Sequence, residues 1–482
     1  MRAEALLGHA AELLRVMLRS GQPPDAVART YFQRRSYLGS KERRFLAEVT
    51  FAALRCLGTL RHCLAEVAPA KAPSSEWLLV CAMGCLGRGL GHAHLTPACA
   101  AALRHSLSAS EEEFWAEVLL QVGWAGHDAE AWIEALWQSL CRLERGVASL
   151  LEQPYGEWDG WQWVEFAAAC SMPEWILRRW LENPWLRFQA TEVIGISKAL
   201  QLPAFPCLRV NTLRASRAWV LQELQRSGIG ASPTPFSPDG IRLWERIALH
   251  ELPIAREGVV ELQEEASQLV GYAVAPEREW RLWDACAGAG GKTLHLAALQ
   301  HDQGEIWASD VEVLRLRALR QRMRRAGVRS VQVLHLPNGM LPAALPRRFD
   351  ALLVDAPCSG LGTVRRTPTL KWRLTPEALR RHCRRQRELL EAYAPRVVAG
   401  GVSVYATCSL MPEENFGVVQ DFLQAHPDWE LEPIEPLWRA AGIEVPCLPA
   451  EQAPVLLLPS VHGTDGFFIA RLRRRLIRGR HG

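Results

Sequence analysis

Apolar residues recur every three to four positions over Ala5–Leu18, Glu42–Leu57 and Glu111–Leu119, the period of helices with one buried face. Ser110-Glu111-Glu112-Glu113 ahead of Phe114-Trp115 reads as a capping box opening the third. No strand-like run interrupts residues 1–140, which predicts a compact helical bundle. Over 141–255 tryptophan and proline become frequent. There Leu208–Leu213 predicts a short strand and Trp219–Ser227 a helix stopped by Gly228-Ile229-Gly230, together a small connecting α+β module.

From 256 to 482 strands and helices alternate. Arg281–Cys286 predicts a strand running into a glycine-rich turn and the helix Thr293–Gln300. Glu305–Asp310 is a second strand ending in an acid, followed by a basic helix to about Ala326, and Val331–Leu336 is a third strand. Phe349–Asp355 is a fourth, an unbroken apolar run as a buried parallel sheet requires. After a helix at Pro376–Ala394, Gly400-Gly401 turns into a fifth strand, Val402–Ala406. The pattern predicts an α/β, doubly wound sheet.

A length of 482 residues implies two or three domains. No apolar run has the length of a membrane span, and the first residues run straight into an amphipathic pattern, so a cytoplasmic protein is expected. The thirteen cysteines include no Cys-x-x-Cys pair, which removes a zinc ribbon or a thioredoxin-type redox site. Cys81 and Cys85, at helical spacing, read as small core residues. Residues 1–200 carry 20 basic and 22 acidic side chains, and the remainder 36 and 30, so the net charges are −2 and +6. The second part is the better candidate for contact with a polyanion. Arginine outnumbers lysine 51 to 5, which singles out the few ammonium groups the chain retains.

The loop Cys286-Ala287-Gly288-Ala289-Gly290-Gly291-Lys292-Thr293 lets backbone N–H groups approach a ligand closely. Its spacing is not that of a Walker loop. Asp310, at the end of the second strand, stands where an acid holds ribose hydroxyls of a nucleoside cofactor. Together they leave NAD and S-adenosylmethionine both open; the bland reading is a tight turn with a capping acid. Two further segments discriminate. Asp355-Ala356-Pro357-Cys358-Ser359-Gly360 follows the fourth strand and Tyr405-Ala406-Thr407-Cys408-Ser409 the fifth. First, fourth and fifth strands of a doubly wound sheet are neighbours, so both cysteines reach one edge beside the cofactor loop. Paired thiols suit methylation at C5 of a cytosine. A thiolate adding at C6 makes C5 nucleophilic, an acid such as Asp355 can serve the ring N3, and a base must later remove the C5 proton. The target base must leave its stack to enter such a pocket.

Asp284–Thr293, Asp355–Gly362, Arg365-Arg366-Thr367-Pro368, Lys371-Trp372-Arg373, Tyr405–Asn415 and Asp465-Gly466-Phe467-Phe468 carry a specific resemblance, joined by Arg209-Val210-Asn211-Thr212 and Val260–Leu269. The chain resembles the RsmB/Sun family of RNA 5-methylcytosine methyltransferases over nearly its whole length. Its helical part, through Tyr37–Arg43, resembles the NusB-like RNA-binding domain of the bacterial RsmB branch. The resemblance implies a Rossmann-like methyltransferase domain at 256–482 preceded by an all-α NusB-like domain at 1–140 and the module at 141–255. It also implies S-adenosyl-L-methionine as cofactor and a loop cytosine of 16S rRNA as target; a monomer is expected, with no metal and no membrane contact.

Carried over, Cys408 is the nucleophile and Cys358 releases the methylated RNA, with Asp355 and Lys292 beside them. The cofactor set is Cys286, Ala287, Gly288, Ala289, Gly290, Gly291, Lys292, Asp310, Arg315, Asn338 and Asp355. Lys292 and Lys371 are two of the five lysines. The chain departs from the family where Gly288-Ala289 replace Ala-Pro, and where Asn338 replaces the acid after the third strand. Alternatives are the same chemistry on another rRNA or tRNA cytosine, an inert assembly factor, or an NAD-dependent oxidoreductase; the last two give the paired thiols no task. The arginines at 317–325, 380–387 and 471–480 read equally as solvated surface or RNA contacts, and His295 as structural or surface.

Overall fold

The structure, a computed structural model, describes residues 3–67, 129–446 and 454–476. The helix expected at 111–119, its capping box, Cys81 and Cys85 lie outside them. Contacts divide the chain into two compact units, one of residues 1–203 with 363–374, the other of 204–362 with 375–482.

The first unit is built from the helices Ala3–Arg19, Pro24–Gln33, Ser40–Arg55, Leu57–Val67, Ala129–Leu150, Gly160–Cys170, Glu174–Leu181 and Ala190–Gln201. Their starts follow from local chemistry. Glu42 reaches back to accept the Gly39 N–H at 2.6 Å, and Asp159 and Gln162 each accept the other's backbone N–H at 2.8 Å. The apolar stripes read from the sequence, among them Leu13, Leu14, Met17, Leu46 and Leu54, form the buried core. The bundle continues well past the limit expected at 140, which falls inside Ala129–Leu150. A short helix from far along the chain, Leu370–Arg373, joins it. Trp372 packs on the core, and the fully buried Lys371 donates from Nζ to the Arg55 carbonyl at 2.7 Å.

The second unit contains two sheets. Strands β1 (Cys207–Val210), β2 (Ala231–Pro233), β3 (Gly240–Leu243) and β4 (Val260–Leu262) form an antiparallel sheet in the order β2-β3-β1-β4. The strand expected to reach Leu213 stops at Val210 because Asn211 serves as a junction. Its Nδ2 donates to the Gly258 and Ala326 carbonyls at 2.9 and 3.0 Å, and its Oδ1 accepts the Leu213 N–H. β4 belongs to this sheet, so the limit expected at 255 falls before the module's last strand.

The large sheet comprises β5 (Arg281–Asp284), β6 (Glu305–Asp310), β7 (Val331–His335), β8 (Phe349–Asp355), β9 (Val397–Thr407), β10 (Trp429–Glu432), β11 (Val455–Leu457) and β12 (Phe467–Arg474). Its order is β10-β12-β9-β8-β5-β6-β7, with β11 also on β12. Strands β5 to β9 are parallel and β12 runs antiparallel to β9. This is the expected Rossmann-like arrangement, and the order reverses between β5 and β8, where such sheets open a crevice. β9 starts earlier than expected. Gly400, at φ 80°, and Gly401, where a Cβ would lie 2.7 Å from the Asp350 carbonyl, form an irregularity inside the strand and not a turn before it.

The arginines of β12 are committed internally: Arg471 and Arg473 pair with Glu432, and Arg474 with Asp428. Among the described residues no helix is long and apolar enough to cross a membrane, and no cluster of His, Cys, Asp and Glu is placed to hold a metal ion.

Candidate active site

The loop between β5 and the helix Gly291–Leu299 turns through Gly288 at φ 55° and Gly290 at φ 86°, left-handed conformations that favour glycine. Gly290 is also hemmed in, since a Cβ there would lie 2.1 Å from Leu319 Cδ1. The loop is tied down by the Ala287 N–H donating to the Ser309 carbonyl at 2.9 Å and by Arg322 donating to the Ala289 carbonyl at 2.8 Å. Asp310, the last residue of β6, accepts the Gly288 N–H on Oδ2 and the Glu312 N–H on Oδ1, both at 2.8 Å.

A cavity of about 640 Å³ opens over this loop. Cys286, Ala287, Gly288, Ala289, Gly291, Lys292, Asp310, Arg315, Asp355, Cys358 and Cys408 all line it. Gly290 is buried behind the loop. Asn338 stands apart: it is exposed in the turn Pro337–Gly339, at φ 54°, outside the lining, and Leu336 lines the wall there instead. Lys371 is also elsewhere, in the helical unit. Sequence reasoning missed Asp284, Arg385, Leu389 and Tyr393, which line the cavity too. Leu389 and Tyr393 lie four apart on the arginine-rich helix Pro376–Tyr393, an apolar signal that periodicity assigns to core.

The two cysteines meet. Cys358 follows the end of β8 by three residues, Cys408 follows β9 directly, and their Sγ atoms are 3.5 Å apart. The hydrogen bond with Cys408, and then burial, hold the Cys358 thiol well above its ordinary pKa. Lys292 Nζ lies 2.7 Å from Asp355 Oδ2. Burial alone would lower the lysine's pKa, but the Asp355 carboxylate outweighs it and the ammonium is favoured. Cys286 is held protonated by burial and by Asp284, Asp355 and Asp310, and serves as lining. Asp284 accepts the Thr293 hydroxyl on Oδ2 at 2.6 Å, its buried Oδ1 has no partner, and burial pushes its carboxyl up to about 7. His295 is fully buried, 3.4 Å from Asp239, and burial drives it down to about 4, so it is a neutral structural group.

The sequence model of the 16S rRNA methyltransferase RsmB/F family matches residues 271–473, and that of an RsmF/B-like, ferredoxin-like domain matches 172–250. A probable ribosomal RNA small subunit methyltransferase B of Synechocystis sp. is 36% identical over 309 residues, 63% of this chain and 67% of the relative. Its counterpart in Bacillus subtilis is 30% identical over 319 residues, 64% and 68% of the two chains. Among solved structures, a methyltransferase homologue from Pyrococcus horikoshii is 30% identical with a TM-score of 0.55, covering 65% of this chain and 99% of that one.

Proposed function

Because the chain belongs to the RsmB/F family of 16S rRNA methyltransferases, we propose that it methylates C5 of a cytosine in RNA, 16S rRNA foremost, through a transient bond from Cys408 to C6 of the base. The observation that carries this reading is the 3.5 Å approach of Cys358 and Cys408, at the cavity that contains the glycine loop.

The residues present fit S-adenosyl-L-methionine. Gly288 and Gly291 would leave a Cβ in open space, so the loop offers a bare backbone wall. The cavity also brings together the carboxyl groups of Asp284, Asp310 and Asp355, with the Asp284 Oδ1 unsatisfied, which suits a cationic ligand. Asp310 would hold the ribose, and Leu336, Leu389 and Tyr393 would offer apolar surface to the base. When bound, this cofactor supplies an electrophilic methyl group.

The chain's own residues do the rest. Cys408 Sγ bonds to C6 as the C5–C6 double bond opens, and the proton its thiol gives up passes to ring N3 by way of Asp355, which Lys292 holds at that edge. C5 thereby becomes an enamine-type nucleophile. Once C5 carries the methyl group its proton must leave, the C5–C6 double bond reforms, and the Cys408–C6 bond breaks to return the thiolate. Cys358 is the group at that bond. Its Sγ stands 3.5 Å from that of Cys408, which places it to serve the breaking of that bond. Residues 1–140 dock the RNA in this reading, as the resemblance of that part to a NusB-like domain implies.

Electrophoresis under denaturing conditions with a cytosine-bearing RNA tests the assignment. Cys408→Ser should lose both methylation and adduct, because a hydroxyl is far less ionised than a thiol. Cys358→Ser should methylate but accumulate a protein–RNA adduct that vanishes in the double variant. Methylation intact in Cys408→Ser would refute the covalent route.

A further inference from the structure

Each of the two thiols is followed by a serine, Ser359 and Ser409, and both serines converge on one buried acid. Glu414 is fully buried. Its Oε1 accepts the Ser359 N–H at 2.8 Å and the Gln386 Nε2–H at 3.0 Å. Its Oε2 accepts the Ser359 hydroxyl at 2.5 Å and the Ser409 hydroxyl. Four donors on two oxygens leave the group no role but acceptor. All four donors are neutral, so this acid is buried without a compensating cation among them, an arrangement that costs stability.

The backbone around it is fixed as well. Tyr405 donates its hydroxyl to the Glu414 carbonyl at 2.7 Å. Asn415 accepts the Thr407 hydroxyl at 2.6 Å and donates to the Ser409 carbonyl at 2.9 Å. The Gly362 N–H holds the Cys408 carbonyl at 2.9 Å. The loops after β8 and β9 are therefore joined by the Gly362–Cys408 backbone bond, by the Ser359 and Ser409 hydroxyls at 3.0 Å, and by the Glu414 side chain, which binds the residue one beyond each sulfur.

We propose that Glu414 is the positioning residue of this centre: by holding the serine that follows each cysteine, one carboxylate sets the separation of the two thiols. With that separation it sets the hand-over from addition at Cys408 to release at Cys358. The inference rests on the two-cysteine reading above, but the spacing it asserts can be measured without RNA. A diazenedicarboxamide oxidant takes two hydrogens from a pair of neighbouring thiols, leaving a disulfide and the corresponding hydrazine. The rate at which Cys358 and Cys408 close, followed by mass spectrometry of the joined peptides and divided by the rate at which each thiol is alkylated at the same pH, reports their spacing apart from their ionisation.

The measurement compares the full chain with Glu414→Gln, and with Ser359→Ala and Ser409→Ala, which each remove one hydroxyl tie and leave the Ser359 N–H on Glu414 Oε1. Closure should slow about tenfold in Glu414→Gln and in the double serine variant. On RNA, kcat should fall about a hundredfold, with KM for RNA and cofactor affinity unchanged, since a misplacement of about 1 Å costs that much. Disulfide closure at the wild-type rate in folded Glu414→Gln, or in the double serine variant should the first not fold, overturns the proposal. If the wild-type chain methylates no RNA, the functional reading fails, and the oxidation rates still decide the role of Glu414.

Discussion

Lys371 gives a quantitative test of how the segment 363–374 is built into the helical unit. Its side chain is fully buried, its ammonium donates to the Arg55 carbonyl, and its nearest ring is Trp372 at 5.2 Å. Burial pushes its pKa down to about 7 from an ordinary 10.5. Above about pH 7 the unfolded chain holds a proton that the folded chain has given up. Stability must therefore rise with pH, by at most about 1.4 kcal/mol per pH unit. Integrated from about pH 7 to 8.5, the gain is about 1.5–2 kcal/mol. Above that window the Cys170 thiol, raised to about 12 by burial, acts with opposite sign, because the unfolded thiol ionises first. Lys371→Met removes the titration and keeps the apolar stem. It removes the hydrogen bond to the Arg55 carbonyl, about 1–3 kcal/mol, against about 4 kcal/mol that the depressed lysine costs near pH 7. The variant should thus be more stable by about 1–3 kcal/mol near pH 7, and its margin should shrink by about 1.5–2 kcal/mol by pH 8.5. Hydrogen exchange of peptides covering 363–374 and Ser40–Arg55, compared between the two full-length proteins at matched pH, reads this difference. The same pH slope in both, or a less stable variant near pH 7, would refute the burial argument.

The cofactor loop gives two further expectations. Gly290→Ala must accept a left-handed φ, about 1–2 kcal/mol, and displace a Leu319 methyl that would stand 2.1 Å away, about 1–3 kcal/mol more. A lowered melting temperature and weaker cofactor binding should follow, and an unchanged melting temperature would contradict the packing. Asp310→Ala frees the Gly288 N–H and should weaken S-adenosylmethionine binding by about 1–3 kcal/mol in calorimetry; undiminished affinity would move the ribose contact elsewhere. Asn338→Asp, outside the cavity lining, should leave that affinity unchanged, whereas a tenfold gain would show that the turn reaches the cofactor.

The strands of the large sheet were legible because each is a short apolar run closed by a turn: Glu305–Asp310 and Phe349–Asp355 have the limits that periodicity predicts. Helices with one apolar stripe were equally plain. What periodicity could not supply was membership. Leu370–Arg373 lies in sequence between strands of the large sheet, yet its half-buried Trp372 packs against the helical core. Two apolar residues in a run as short as Leu370-Lys371-Trp372-Arg373 carry no mark of which core they enter. The early start of β9 was hidden for a different reason: Gly400-Gly401 has the composition of a turn, and only the neighbouring strand, through the Asp350 carbonyl, makes it an irregularity within a strand.

The candidate site divides along the same line. Cys358, Cys408, Asp355, Asp310 and the glycine loop were found because strand ends of a doubly wound sheet converge by topology alone. Asn338 was carried there by the family resemblance, as the replacement of the acid after the third strand, yet the left-handed turn at Pro337–Gly339 leaves it exposed, and a turn's φ is not written in its neighbours. Glu414 was missed for the converse reason. It lies six residues past Cys408, inside the segment Tyr405–Asn415 that carries the family resemblance, but nothing in the sequence assigned it a contact, and its burial supplies one. A buried acceptor is worth its desolvation only if its donors cannot be satisfied otherwise. Here two of those donors are the hydroxyls that follow the two thiols. The nucleophile and its partner can be read from the chain, but the side chain that spaces them is seen only once the two loops are brought together.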